Sequence, residues 1–345
     1  MNRLTTILSI VFVSLLGVSC TTSKINYISI DVLKPASITF APEVVNVVVV
    51  DNAGRQPANK NHVVFINGTM KEESVSSDSA RIVFLQGFTQ FMNEDKYFNK
   101  VVLYPHHLRS DTSFGKPERI TKSEAAGICE EVDADALISL DAFATASKTI
   151  SDKAYYLESF NELAAKIAFS FRIYDRKGVI QGVPIVYVDS LFWNAKDYAS
   201  LPRRESAINE LALVIAERFT KQFVPSWSQQ RRFYYSDNSN EMLVASVNAK
   251  EGKWKDAEDI WNALYEAEQN KNKKIRLALN IALANECQDN LDNAVKWIET
   301  AFGMFDNGSG SDLALQIGIY SNQLKTRQKN MDLLKTQLGV DGNRQ

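Results

Sequence analysis

Two aspartates and a pair of histidines fall where an open α/β sheet would gather them. Asp51 closes the apolar run from Val44 to Val50, His106 and His107 follow the run from Lys100 to Pro105, and Asp141 interrupts the run from Ala136 to Phe143. Ligands of open α/β sheets bind beyond the carboxyl ends of the strands, so a metal or acid–base site of Asp51, His106 and Asp141 is geometrically open. The spacing argues against it. Adjacent histidines point in different directions, and no third ligand stands at HExxH-like spacing. His62 lies in a polar stretch and is a weaker candidate still. The chain also lacks GxxxxGK[ST], a GxGxxG after its first buried strand, and GxSxG, which removes the common phosphate-binding and serine-hydrolase chemistries. Solvated or capping side chains account better for these residues. The expectation is a protein that is not an enzyme, with no catalytic, cofactor-binding or metal residues and no cofactor; an enzyme at the strand ends is the alternative.

Composition bounds the partners. The 345 residues carry 39 Lys+Arg against 41 Asp+Glu, a net charge of −2, and only three His and three Cys. Such a balance argues against nucleic acid as a partner, so Arg231-Arg232-Phe233-Tyr234-Tyr235 reads as packing between domains rather than as a base-stacking platform.

The third chemical feature is Cys20. A positive start at Arg3, an apolar run from Ile7 to Leu16 and small residues Gly17, Val18 and Ser19 read as a secretory signal over 1–19. The run falls short of the roughly 20 apolar residues of a membrane span. Leu15-Leu16-Gly17-Val18-Ser19-Cys20 resembles a bacterial lipobox, which implies cleavage between Ser19 and Cys20 and a lipid on the new amino-terminal Cys20. One position departs from that family: Gly17 stands where it usually has Leu. The absence of Asp after the cysteine implies the outer membrane, with the protein facing the periplasm. Cys129 and Cys287 are expected as free thiols.

The elements that must hold these residues read as two bodies. Over 43–223 the order is a buried strand ending at Asp51, a helix opening at Asp78, a strand from Lys100, a helix capped by Thr121 and Glu124, and a strand from Ala136. That order predicts a parallel core. From Leu163 to Ile173 every second residue is apolar, Asp175-Arg176-Lys177-Gly178 turns the chain, and Ile185 to Phe192 returns, an antiparallel hairpin before a closing helix after Pro202. The fold class is thus α/β, a mixed and mainly parallel sheet with an antiparallel hairpin. It resembles the TolB amino-terminal and CsgG-like envelope domains. Tyr27 to Ala36, Val47 to Asp51, and Pro225-Ser226-Trp227 with Arg232 to Tyr235 also resemble uncharacterised lipoproteins of Bacteroides-type bacteria.

The second body spans 236–338. At an offset of 37 residues Lys253 to Ala257 aligns with Asn290 to Ala294 and then with Arg327 to Met331. Ala245, Ala257, Ala282, Ala294 and Ala301 resemble the small packing positions of tetratricopeptide repeats, and Gly252 and Asp289 occupy equivalent turn positions. An all-α, tetratricopeptide-like domain is expected. A tether over 20–42, a linker over 224–235 and a tail over 339–345 complete the layout. Together these features predict an outer-membrane lipoprotein that acts as an interaction module, anchored to the membrane through Cys20 and holding an envelope protein or peptide in its repeat groove. The other alternative is a CsgG-like secretion component built through the Leu163–Phe192 hairpin.

Overall fold

The computed structural model describes residues 23–109, 114–152, 160–305 and 311–339. Ser19 and Cys20, with the rest of the segment read as a secretory signal, lie outside the described residues. The chain divides into two compact units, one of residues 35–226 with 335–345, the other of residues 1–34 with 227–334.

The first unit is a mixed α/β sheet. Its central strand is β6 (Ala136–Asp152), seventeen residues long. One edge of β6 carries β7 (Phe160–Asp175), antiparallel along its length. The other edge is divided. Its first residues, Ala136 to Leu140, pair in parallel with β2 (Asn46–Asp51), and its last, Ser147 to Ser151, pair in parallel with β3 (His62–Ile66). β5 (Lys100–Leu103) adds to β2 in parallel, β4 (Thr69–Glu72) adds to β3 as a hairpin, and β8 (Ile180–Ala195) closes the sheet beyond β7. The parallel core and the β7–β8 hairpin follow the sequence pattern.

The β3–β4 hairpin departs from it. Asn67 and Gly68 form its two-residue turn with φ of 47° and 78°, the positive values that make Asn-Gly a hairpin signal. His62 is therefore not in a polar loop but is the buried first residue of a strand.

Helix α1 (Asp78–Glu94) and helix α3 (Arg204–Thr220) cover one face of the sheet. They approach closely at Gly87, where an added Cβ would meet Leu213 Cδ1 at 3.0 Å and Ala216 Cβ at 3.2 Å. Beneath them the alternating residues of β7 join an aromatic cluster, with ring centroids 4.6 Å apart for Phe84–Phe169 and 4.8 Å for Phe169–Phe219. Helix α2 (Lys122–Val132), opened by the expected capping box of Thr121 and Glu124, packs on the other face over β2 and the start of β6, with Tyr174 at the end of β7, Val102 of β5 and Ile180 at the start of β8.

In the second unit β1 (Lys24–Lys34) pairs with β9 (Ser226–Ser236), so the segment read as a linker is a strand. Helices α4 (Asn240–Lys250), α5 (Trp254–Ala267), α6 (Lys271–Cys287) and α7 (Leu291–Gly303) pack each on the next, followed by the long α8 (Ser311–Leu338). The 37-residue offset recurs in the backbone. Gly252 and Asp289 both take positive φ, 75° and 56°, and behind them Lys253 N donates to Asn248 O as Asn290 N donates to Asn285 O. These turns reverse the chain between paired helices, and Ala245, Ala257, Ala282, Ala294 and Ala301 are all fully buried where the helices meet. Among the described residues no helix is long and apolar enough to cross a membrane.

Removing the Phe84 ring would open a cavity at the centre of this aromatic cluster. Phe84→Ala is expected to lower the unfolding free energy by about 3–5 kcal/mol in urea denaturation, whereas Phe192→Ala, on the open side of the sheet, should change it by less than about 0.5 kcal/mol.

Candidate functional site

The carboxyl end of β2 is where the sequence concentrates polar chemistry, and strand alternation splits it between two faces. Asp51 continues the row of Val47 and Val49, toward α1 and α3; Asn52 continues the row of Val48 and Val50, toward the α2 side.

On the first face Asp51 meets Arg81 of α1. Arg81 Nε lies 3.1 Å from Asp51 Oδ2, off the line of a hydrogen bond, while its NH1 donates to Ala53 O at 3.3 Å. His107 donates through Nε2 to the same carbonyl at 2.8 Å and stands 3.8 Å from Asp51 Oδ1. Burial raises the Asp51 carboxyl above its ordinary pKa, against the opposing pull of Arg81 and His107. His106 is not part of this group: it is exposed, with its ring edge-on to Tyr104.

On the second face Asn52 Nδ2 donates to Asp141 Oδ1 at 2.9 Å and to Glu118 O at 2.7 Å, and its Oδ1 accepts from Arg109 Nε at 2.9 Å. Arg109 reaches on to Glu118 Oε2 at 2.8 Å. Asp141 also accepts from Ser139 Oγ at 2.7 Å and from Arg172 of β7. Burial is again the largest influence and raises the Asp141 carboxyl, with the three donors acting the other way. The sheet therefore separates Asp51 from Asp141, and with His106 outside, the three residues proposed as a strand-end site do not meet. Each carboxylate faces an arginine instead, Asp51 the buried Arg81 and Asp141 the half-buried Arg172, an arrangement suited to pinning strand ends. Among the described residues no group of three His, Cys, Asp or Glu is placed to hold a metal ion.

A third polar group lies along the divided edge of β6, between the β2 and β3 ladders. His62 Nδ1 is 2.8 Å from Ser147 Oγ and Nε2 is 3.4 Å from Thr145 Oγ1, which lies 2.6 Å from Ser77 Oγ. Burial, reinforced by the charge of Arg204, holds the His62 imidazole below its ordinary pKa. At the opposite end of the sheet a groove of about 750 Å³ has an apolar floor of Phe40, Val44 and Ile173. Arg176 on its rim is engaged by Asp133 and Asp135.

In the second unit Arg232, Tyr234 and Tyr235 of the Arg231–Tyr235 motif are buried and Phe233 packs against the core, while Arg231 is exposed over the Tyr27 ring. Arg232 is buried and donates through Nε and NH2 to the two oxygens of the buried Glu286, each at 2.8 Å; Tyr320 Oη and Arg327 NH1 complete that carboxylate at 2.8 and 3.2 Å. Burial beside Glu286 pushes the Cys287 thiol up to about 12, and burial pushes Cys129 up to about 11, so both are protonated free thiols. Sequence reasoning missed Asn52, Arg81, Arg172 and Glu286. Arg172 carried no distinguishing signal, since Lys166 is an equally charged residue at an outward position of the same strand.

Two outcomes are expected. Arg172→Met leaves Asp141 buried without its cation and should lower stability by about 3–5 kcal/mol in chemical denaturation, while His106→Ala changes it by less than about 0.5 kcal/mol. Because the folded state depresses the His62 pKa, the unfolded chain protonates first as pH falls; stability is full above the ordinary value of 6.5 and is lost progressively below it. His62→Gln should flatten that decline between about pH 7 and 5 in thermal melts.

Comparison with known proteins gives matches to two family models and one solved structure. No curated protein matches the chain. A crystal structure of a minor lipoprotein from Acinetobacter baumannii aligns at 8% identity and a TM-score of 0.24, over 53% of this chain and 97% of that one. The domain of unknown function DUF6340 matches residues 244–326, within the helical unit. The domain of unknown function DUF8603 matches residues 44–235, more than half of the sequence, and the chain belongs to that family.

Proposed function

We propose that the protein is exported, cleaved after Ser19, lipidated on Cys20 at the outer membrane, and that its tetratricopeptide-like helices hold a segment of another envelope protein. The observation that carries this reading is on α4. Leu243, Val244 and Val247 are each about half exposed and stand at spacings of one, three and four residues, which places them on one side of the helix. The other side of α4 is fixed in the core by Met242, Ala245 and Ala249. Contiguous exposed apolar residues beside a packed seam favour a protein partner, because covering them removes apolar surface from water. The paired state of the buried carboxylates supports binding rather than catalysis as the activity.

Full-length protein carrying Leu243→Asp and Val247→Asp should fold with unchanged melting temperature and lose an envelope protein that the parent chain retains after in-cell crosslinking. Retention of the same protein by the double variant would contradict the proposal. Independently, Cys20→Ser should move the protein from the membrane to the soluble fraction.

A further inference from the structure

The two faces of the long strands are treated differently. One face of β6, β7 and β8 lies under α1 and α3, with Phe143 opposite Phe169 and Leu163 opposite Trp193. On the other face, beyond the stretch under α2, no helix packs among the described residues. Its floor is small: Ala144 stands opposite Ala168 and Ala142 opposite Ser170. Its edge on β8 is apolar and open, with Val186 70% and Phe192 61% exposed. Lys166 lies opposite Ala146 and Lys148 opposite Ala164, so the two lysines share this face on neighbouring strands, one pair position apart. Both are exposed, and neither joins an ion pair among the described residues. Glu162, at the far end opposite Ile150, is the acidic residue of the same row on β7.

From this arrangement we infer that the open face of β6–β7–β8 is a docking surface for an amphipathic α-helix of a partner protein, one that carries two carboxylates a turn apart on its contact side. The dimensions agree. From Ala142 to Ile150 the face runs about 27 Å, and three strands span about 10 Å between outer axes, the width of one helix. Small floor residues let a helix approach closely, while Val186, Val188 and Phe192 supply apolar contact along one side. Lysines on diagonal positions of adjacent strands are about 7–8 Å apart, and carboxylates at i and i+4 of a helix are about 6 Å apart, so both pairs can form at once. A second copy docking face to face would instead set Lys148 and Lys166 against the same lysines. This surface is independent of the one on α4.

Two fluorescent 18-residue helical peptides test it against the full-length protein: both carry Ala and Leu on the contact side, one with Glu at i and i+4, the other with Lys there. Fluorescence anisotropy should give the acidic peptide about ten-fold tighter binding. The exposed double variant Lys148→Glu, Lys166→Glu should invert that order. Equal binding of the two peptides, binding of neither, or an order that survives the charge reversal would overturn the inference. So would self-association of the chain, or attachment to phosphatidylglycerol vesicles, that is lost in the double variant while the acidic peptide stays unbound.

Discussion

Backbone N–H and C=O groups taken out of water must find partners, and this chain repeatedly meets that constraint with side-chain carboxamides. In four places among the described residues one side-chain amide serves both groups of a single residue. Gln56 accepts from Thr145 N at 2.7 Å and donates to Thr145 O at 2.9 Å. Asn93 does the same for Val101, Asn280 for Tyr235 and Gln337 for Ala36, all at 2.7–2.9 Å. Each carboxamide stands in for one residue of an adjacent strand. Leaving one such pair unmet in the interior would cost about 1–3 kcal/mol per group.

The Gln56 case governs the α/β unit. β6 is longer than either partner on its divided edge, so between Leu140 and Ser147 the β2 ladder has ended and the β3 ladder has not begun. The chain crosses that gap between Asn52 and Asn61, and the space is filled by polar side chains: Gln56 on the backbone, His62 with Thr145 and Ser147, Asn52 with Asp141. Buried polar residues that suggested catalysis in the sequence are thereby used to close a sheet. The same extended β6, paired with β7 to its far end, carries the strands past the reach of α2 and leaves their Ala- and Lys-bearing face open.

Much of this was legible in the sequence because it depends on period. The 2-residue alternation of Leu163 to Ile173, the uninterrupted apolar run before Asp51 and the Thr121–Glu124 cap each follow from local rules, and β7, β2 and α2 formed accordingly. The 37-residue offset holds at one pair of turns, where Asp289 accepts the left-handed backbone that Gly252 adopts, whereas its third copy, Arg327 to Met331, falls inside the continuous helix α8 and makes no turn. Pairings between distant segments were not legible. Nothing local announces that β1 will join β9, or that Asp51 and Asp141 will fall on opposite faces, since that depends on which strands become neighbours and on the irregularity between Leu140 and Ala142. His106 and His107 could not be told apart by sequence, because only the path of the loop decides which ring turns back to Ala53. For the β3–β4 hairpin the local signal was Asn67-Gly68, a turn pair that takes positive φ at both residues.

Amide hydrogen exchange of Thr145 in the full-length protein, compared between the parent chain and Gln56→Leu, tests most directly that a side chain completes the divided sheet. Thr145 N–H should be strongly protected in the parent and exchange far faster in the variant, with the amides of the β2–β6 ladder keeping their protection. Equal protection of Thr145 in both proteins would contradict the account.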